Sequence, residues 1–375
     1  MDVLPRAPAD PGYPLTATDV RPTLSVVIVN YRHWEDTARL VAQLRRSPEV
    51  RRGFAEVIVV DNASPLHPAP ARLRRASGVS LRRWRGNRGF ARAVNEGCRL
   101  ARGEWFLLLN PDVTVGPDFL ARALHSACRC AADVGIVGFA LVSPDGSPQL
   151  STGRFPTLAG TLARLLLPRA VRKYTRPDAP GPCPVDWVTG CCMLLRRDCW
   201  QGLGGLGRDF FLYYEDVDLC RRAAAAGWQV LHDPGARVIH HHPLHSRAVP
   251  PHLRLITRHA LLTYARKHWP SWQARALGEV IRAEALARRV AAWWAGDAQR
   301  ADTYARLGRI VAALQAGREE GARAHLRRAV REQEELLDAL AVDRGAVAQP
   351  AGPAGGLPAL GMPVPAAGLA GPGGG

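Results

Sequence analysis

"LSVVIVN" (24–30) is a nearly unbroken apolar run that closes on an asparagine. A strand buried on both faces reads this way, whereas a half-exposed strand alternates apolar and polar side chains. "AEVIVVD" (55–61) repeats the pattern and also closes on a polar residue. Between the two runs, "HWEDTARLVAQLRR" (33–46) has its apolar residues at helical spacing. Beyond them, "SLRRW" (80–84) is a weaker third strand and "GFARAVNEGCRLARG" (89–103) a helix stopped by glycine. "WFLLLN" (105–110) is a fourth strand, "PDFLARALHSACRC" (117–130) a helix and "VGIVGF" (134–139) another strand. Strand and helix alternate, which predicts an α/β fold with a parallel central sheet and helices on both faces.

The pattern changes after residue 145. "SPDGSPQLSTGRFPT" (143–157) is turn-rich, and "LAGTLARLLLPRAVRKY" (158–174) is apolar and basic. "VDWVTGCCMLLRRD" (185–198) returns to strand character, and a helix follows that runs to Gly227. "WQVLHDP" (228–234) and "ARVIHHH" (236–242) read as two short strands. The expected organisation is a flexible leader over 1–22, a domain over 23–250, an Ala/Arg/Leu-rich helical extension over 251–342 and a disordered Gly/Pro/Ala tail over 343–375.

The 375-residue chain has 47% apolar residues, enough for a sizeable core, and a formal charge of +17. Only Lys173 and Lys267 are lysines, so the excess is arginine. That charge suits an anionic partner: nucleotide phosphates, a lipid headgroup surface or nucleic acid. The eight cysteines show no C-x-x-C spacing, which argues against a zinc ribbon and for reduced thiols in a cytoplasmic protein. The first residues lack a basic-then-apolar secretory pattern, and no run of 18 apolar residues suggests a membrane span.

In open α/β sheets, ligands bind beyond the carboxyl ends of the strands. Those ends here carry Asn30-Tyr31, Asp61-Asn62 and Asn110-Pro111-Asp112. A dinucleotide site would need a glycine-rich turn after the first strand, and the turn reads "NYRHWED" with no glycine. No P-loop pattern occurs either. A second polar cluster stands in "FFLYYEDVDLCRR" (210–222), where five apolar or aromatic residues precede Glu215, Asp216 and Asp218. Acids in a first helical turn favour the macrodipole, and Asp218 can pair with Arg222 at i+4. An apolar setting also disfavours ionisation, which tunes a carboxylate for proton chemistry.

"VVIVNY", "VIVVDNAS", "GNRGFARAVNEG", "FLLLNPDV", "VTGCCMLLRRD" and "FFLYYEDVDLCRRAAAAGW" occur in that order. Together they resemble the family 2 glycosyltransferases, with the bacterial rhamnosyltransferase-like branch nearest in pattern. The resemblance covers roughly residues 23 to 250. It implies the GT-A fold, a Rossmann-like, mostly parallel central sheet flanked by helices, here with the helical extension behind it. It implies an inverting, metal-dependent hexosyltransferase. The donor would be a dTDP- or UDP-sugar, rhamnose preferred, with UDP-galactose, UDP-glucose or UDP-GlcNAc as alternatives. The acceptor would be a hydroxyl of a cell-wall, polysaccharide or polyprenyl-linked glycan.

The same resemblance distributes roles. Asn30, Tyr31, Asp61 and Asn62 fall at the nucleotide, where a carboxylate can accept the imide N–H of uracil or thymine; Asp61-Asn62 also fit a plain turn cap. Asn87, Arg88 and Asn95 fall on the donor side, with Arg88 suited to phosphate. Asp112 matches the metal-binding aspartate of a D-x-D-like motif, with Asn110 at its first acidic position. Mg2+ or Mn2+ takes oxygen ligands and bridges diphosphate oxygens. A histidine after the last core strand completes such a site; His240 and His241 both qualify, and a surface histidine run is the alternative. Asp216 is the expected general base and Glu215 an orienting residue. Gly190 is expected in the floor under the sugar, with Trp187 and Tyr214 on the acceptor side.

Two segments raise a membrane question. "TLARLLLPRAVRKY" (161–174) sets leucines beside arginines, as in a segment lying in a bilayer interface, though a connecting helix broken by Pro168 reads the same. "RLITRHALLTYARKHWPSW" (254–272) can cover the sheet, touch the bilayer or build a homodimer. The expected location is the cytoplasm, with peripheral contact on the inner face of the plasma membrane. The rival of a different class is a non-catalytic, basic nucleic-acid-binding protein; no nucleic-acid fold signature appears and the cations are spread along the chain.

Overall fold

A computed structural model describes residues 22–163, 174–175, 179–242 and 251–347. Residues 1–21 of the leader, most of the 161–174 segment and the last 28 residues of the expected tail lie outside the described residues. β1 (Leu24–Asn30) is buried at every position and pairs in parallel with β2 (Ala55–Asn62) from Leu24↔Ala55 to Asn30↔Asp61. That register brings the polar strand ends side by side. Helices α1 (Trp34–Arg46) and α2 (Pro48–Arg51) make the crossover between the two strands. α3 (Ala69–Arg74) leads to β3 (Val79–Trp84), and α4 (Phe90–Leu100) leads to β4 (Trp105–Leu109), which lies on the other side of β1. The order β3-β2-β1-β4 is parallel throughout.

The remaining strands form a mixed half. β5 (Val113–Val115), α5 (Phe119–Arg129) and β6 (Val134–Val142) precede the short β7 (Pro148–Gln149), β8 (Thr152–Gly153) and α6 (Leu158–Ala163). After β9 (Cys183–Pro184) and β10 (Trp187–Val188) comes β11 (Cys192–Arg196). It lies antiparallel between β4 and β6. The parallel expectation therefore holds for β3-β2-β1-β4 and for the β6–β12 pair, and β11 departs from it. β11 is buried on both faces, so its apolar run carries no mark of its direction. The stretch 185–198 is not one strand: β10 pairs with β8 in a small separate sheet, the chain turns at Gly190-Cys191, and α7 (Arg197–Leu203) begins at once after β11. α8 (Glu215–Ala225) carries the acids, and β12 (Gln229–His240) follows. The two short strands expected over 228–242 are this single strand, with a register shift between Asp233 and Arg237 around Pro234-Gly235. Proline lacks the N–H that a ladder needs, so the pairing breaks there without ending the strand.

Core residues separate by strand parity. Leu24, Val26 and Ile28 of β1 join one cluster, and Val27 and Val29 the other, so both sheet faces are covered. Five cysteines are buried; burial pushes the Cys191 thiol well above its ordinary range and keeps it protonated.

Residues 1–329 form one compact unit and 330–375 a second. The first unit includes α9 (Pro251–His268), α10 (Ser271–Trp294) and α11 (Ala298–Gln315), and α12 (Glu319–Val347) begins in it. α12 runs five residues past the expected start of the tail at 343. Buried Asp218 pairs within α8 with Arg222 Nε at 2.8 Å and ties α9 to α8 through Lys267 Nζ at 2.9 Å and His268 Nε2 at 2.8 Å. Residues 251–268 thus hold the acid-bearing helix in place. No helix among the described residues is long and apolar enough to cross a membrane.

His259 of α9 is buried, and neither ring nitrogen has a partner among the described residues. Burial, reinforced by Arg323, pushes it down to about 4 from 6.5. Between those two values the unfolded chain binds a proton that the folded chain refuses, so stability falls as pH drops through that window. The expected loss from neutral pH to pH ~4 is about 3 kcal/mol. His259→Leu removes this dependence, and urea midpoints of both proteins across the window check it. An unchanged slope in the variant contradicts the assignment.

Candidate active site

The carboxyl ends of β1 and β2 carry a closed polar network. Asn30 Nδ2 donates to Asp61 Oδ1 at 2.9 Å and to Ser64 Oγ at 2.8 Å, and Asn30 Oδ1 accepts from Thr37 Oγ1 at 2.8 Å. Both amide hydrogens of Asn30 are used and the side chain is fully buried, so it holds Asp61 and does not face a nucleotide. Asp61 Oδ1 also accepts from Ser64 N–H at 3.2 Å, while Oδ2 accepts from Arg83 Nε at 2.8 Å. Asp61 is itself fully buried, so these bonds fix it beneath the strand ends, and Arg83 is the partner that reaches the surface. Arg83 was not legible as a site residue. It stands directly across from Asp61 in the β2–β3 register, which only the strand pairing reveals.

A second network fixes the turn before α4. Asn62 Nδ2 donates to Asn87 Oδ1 at 2.8 Å, Asn62 Oδ1 accepts from Arg88 N–H at 2.8 Å, and Gly89 N–H donates to Asn87 Oδ1 at 3.0 Å. The Arg88 guanidinium is left exposed over the Trp84 ring, 4.7 Å from its centroid. Tyr31 is half-buried beside Arg32. Asn95 takes another role than the donor contact expected of it. Its amide donates to Leu206 O and accepts from Leu206 N–H, both at 2.9 Å, which fastens α4 to the loop after α7.

The turn also touches the acid-bearing segment. Phe90 N–H donates to Phe211 O at 2.7 Å, and Gly89 has φ 86°. A Cβ at Gly89 would lie 2.7 Å from that same carbonyl, so the close approach excludes any side chain. Tyr213 and Tyr214 then adopt φ of 72° and 66°, a costly conformation for bulky residues. Strain of this kind concentrates at functional sites. It turns the chain so that α8 starts at Glu215.

Asp216 is buried, and two N–H groups aim at its carboxylate: Gly190 at 3.2 Å on Oδ2 and its own Val217 at 2.9 Å on Oδ1. Gly190 has room for a Cβ, 3.7 Å from Asp216 Cβ, so its contribution is the N–H and not the missing side chain. Next to it, Cys191 O accepts from Asn110 N–H at 2.9 Å. Adjacent residues of one turn thus hold Asp216 and the segment carrying Asp112. Glu215 is buried, and the half-buried Tyr214 packs on Tyr264 with ring centroids 5.7 Å apart. Trp187 is fully buried, with Nε1 donating to Arg154 O at 3.0 Å, so it underpins the site and offers no surface to an acceptor.

His240 Nε2 lies 3.5 Å from Asp112 Oδ2, and its Nδ1 is 3.0 Å from Gln149 Oε1. His241 points to the other face of the strand end, with Nε2 2.8 Å from Thr114 Oγ1. Of the two histidines, only His240 meets Asp112 through its side chain. Burial raises the Asp112 pKa, but the His240 hydrogen bond and charge outweigh it and hold the carboxyl below its ordinary value. Gln149, from the turn-rich segment, orients His240 through ring and backbone, and nothing in its sequence context announced that.

Residues 25–203 match the family described as Glycosyl transferase family 2. The N-acetylglucosaminyl-diphospho-decaprenol L-rhamnosyltransferase of Mycobacterium tuberculosis is 31% identical over 277 residues, covering 68% of this chain and 88% of the relative. The chain is a family 2 glycosyltransferase. Two further relatives of this glycosyltransferase are more distant. Rhamnosyltransferase WbbL of Escherichia coli is 25% identical, covering 58% of this chain and 82% of WbbL. The low-salt glycan biosynthesis hexosyltransferase Agl10 of Haloferax volcanii is 28% identical, covering 59% of this chain and 68% of Agl10. The α/β sheet flanked by helices, with further helices after it, is the architecture that the resemblance implied for this glycosyltransferase.

Proposed function

We propose that this glycosyltransferase moves a sugar, L-rhamnose foremost, from a dTDP- or UDP-linked donor to a hydroxyl of a lipid-diphosphate-linked glycan, with inversion at the anomeric carbon. The observation that carries the reading is the Gly190-Cys191 turn, which holds Asp216 on one side and the Asn110–Asp112 segment on the other. Asp216 takes the proton of the acceptor hydroxyl. The acceptor oxygen bonds to the anomeric carbon from the face opposite the diphosphate, whose bond to that carbon breaks with its electron pair. Gly190 N–H and Val217 N–H keep the carboxylate aimed throughout. Asp61 and Asn62 are buried and act on the base side by holding Arg83 and the Asn87-Arg88 turn, and Arg88 stands exposed for phosphate.

Asp112 and His240 fit a divalent ion. They offer one carboxylate and one imidazole, and Mg2+ or Mn2+ sites of this kind take their other ligands from substrate phosphates and water. The imidazole favours Mn2+ over Mg2+. When bound, the ion would neutralise charge on the departing diphosphate.

A basic groove supports the lipid-diphosphate acceptor. Beside Arg88, the residues Arg92, Arg208, Arg323 and Arg327 line it over Phe210 and Leu326, and its one acid, Asp209, is held by Arg323 at 2.6 Å. Cations above an apolar floor suit an anionic amphiphile. The relative from Mycobacterium tuberculosis is named for such an acceptor. The working place on this reading is the cytoplasmic face of a membrane.

Thermal melts with Mn2+ and a panel of dTDP- and UDP-sugars test the donor. At a hundredfold excess over Kd, a true donor adds about 2.7 kcal/mol of stability, read as a rise in Tm. The largest rise is expected with dTDP-rhamnose. A rise confined to a UDP-hexose would replace rhamnose as the sugar, and no rise with any nucleotide sugar would overturn the reading.

A further inference from the structure

Helix α10 carries apolar side chains on two opposite faces. Ala274, Leu277, Ile281, Ala285 and Ala292 are buried, where α10 packs on α9 and α11. Trp272, Trp293 and Trp294 are instead 63%, 70% and 78% exposed, and Leu286 and Val290 are exposed with them. At 3.6 residues per turn these five fall within an arc of about 100°, centred about 150° away from the buried face. Single exposed apolar residues are ordinary; a stripe holding three tryptophans marks a surface that is covered in use.

Its chemistry selects the cover. Tryptophan has an apolar body and a polar N–H, and it concentrates where water meets lipid. Arg275, Arg282 and Arg289 are exposed along one edge of the stripe. Glu279 stands exposed within the stripe and its charge is met by Arg282 at 3.1 Å, while Arg275 and Arg289 have no carboxylate partner among the described residues. A second copy of the chain packed antiparallel on this face would confront one arginine row with another, which is unfavourable. An anionic bilayer meets both the tryptophans and the arginines.

We propose that the α10 stripe docks on an anionic lipid surface, with Trp272, Trp293 and Trp294 at headgroup depth and the arginine edge against lipid phosphates. This surface differs from both segments in which the sequence raised a membrane question, apart from Trp272 at the end of the second. The inference stands apart from the sugar-transfer reading, because lipid binding requires neither donor nor acceptor.

The test is co-sedimentation of the full chain with vesicles of phosphatidylcholine and phosphatidylglycerol in equal parts, beside vesicles of phosphatidylcholine alone. The chain is expected to pellet with the anionic vesicles, to release as salt rises, and to show blue-shifted tryptophan emission when bound. Trp293→Ser combined with Trp294→Ser is expected to lower the partition coefficient about tenfold or more. If that pair melts early, Trp272→Ser reads the same face from its other end. A parent chain that stays in the supernatant overturns the proposal, as does a folded variant that pellets like the parent. A parent that sediments as a dimer and a variant that sediments as a monomer also overturn it, since the stripe is then a subunit interface.

Discussion

With Asp216 as the proposed base, Asp216→Asn is expected to lower transfer by about 10³-fold while nucleotide binding persists, because general-base catalysis contributes about 10²–10⁴-fold. The substitution keeps the shape of the side chain. An amide can accept from Gly190 N–H or from Val217 N–H with its single oxygen, and its NH2 group then faces the other donor. One backbone N–H is therefore left without an acceptor, at a stability cost of about 1–3 kcal/mol. Melting with and without nucleotide separates that cost from the chemistry. A folded variant that transfers at the parent rate removes Asp216 from the role of base.

Asp112→Asn has the second largest expected effect. The variant gives up the negative charge that draws a divalent ion, and leaves His240 facing an amide. Charge neutralisation by such an ion is worth several kcal/mol in the transition state, so kcat/KM should fall about 10²–10³-fold. The Mn2+ concentration giving half-maximal rate should rise in parallel, which a loss through misfolding would not produce. His241, which turns to Thr114, provides the internal contrast: His241→Ala should leave the Mn2+ requirement unchanged. An equal rise in both variants contradicts the choice of His240.

Strand existence was the most legible part of the fold. β1, β2 and β4 are apolar throughout because both of their faces are covered, and that pattern survives in any sequence window. Strand direction was not legible. β11 is as apolar as the parallel strands β1, β2 and β4, yet after the turn at Gly190-Cys191 it runs antiparallel to β4. The bulge at Pro234-Gly235 read as a strand end because proline and glycine usually mark one.

At the site, polar residues at strand ends were found easily, but their division of labour was not. Asn30 and Asn95 are amides beside a predicted ligand position, and the backbone and side-chain partners that engage them come from elsewhere in the chain. Arg83 and Gln149 were missed for the same reason, since each matters through a partner that only the fold supplies. Asp218 was half legible. Its Arg222 partner is local in sequence, whereas Lys267 and His268 stand on a later helix, His268 50 residues away.

The most direct measurement is product analysis with dTDP-rhamnose, Mn2+ and a polyprenyl-diphosphate-linked N-acetylglucosamine acceptor. Mass spectrometry should show one deoxyhexose added per acceptor, proton NMR should show an anomeric configuration opposite to that of the donor, and the Asp216→Asn protein should form almost no product. Retention of configuration, or undiminished product from that variant, would contradict the account.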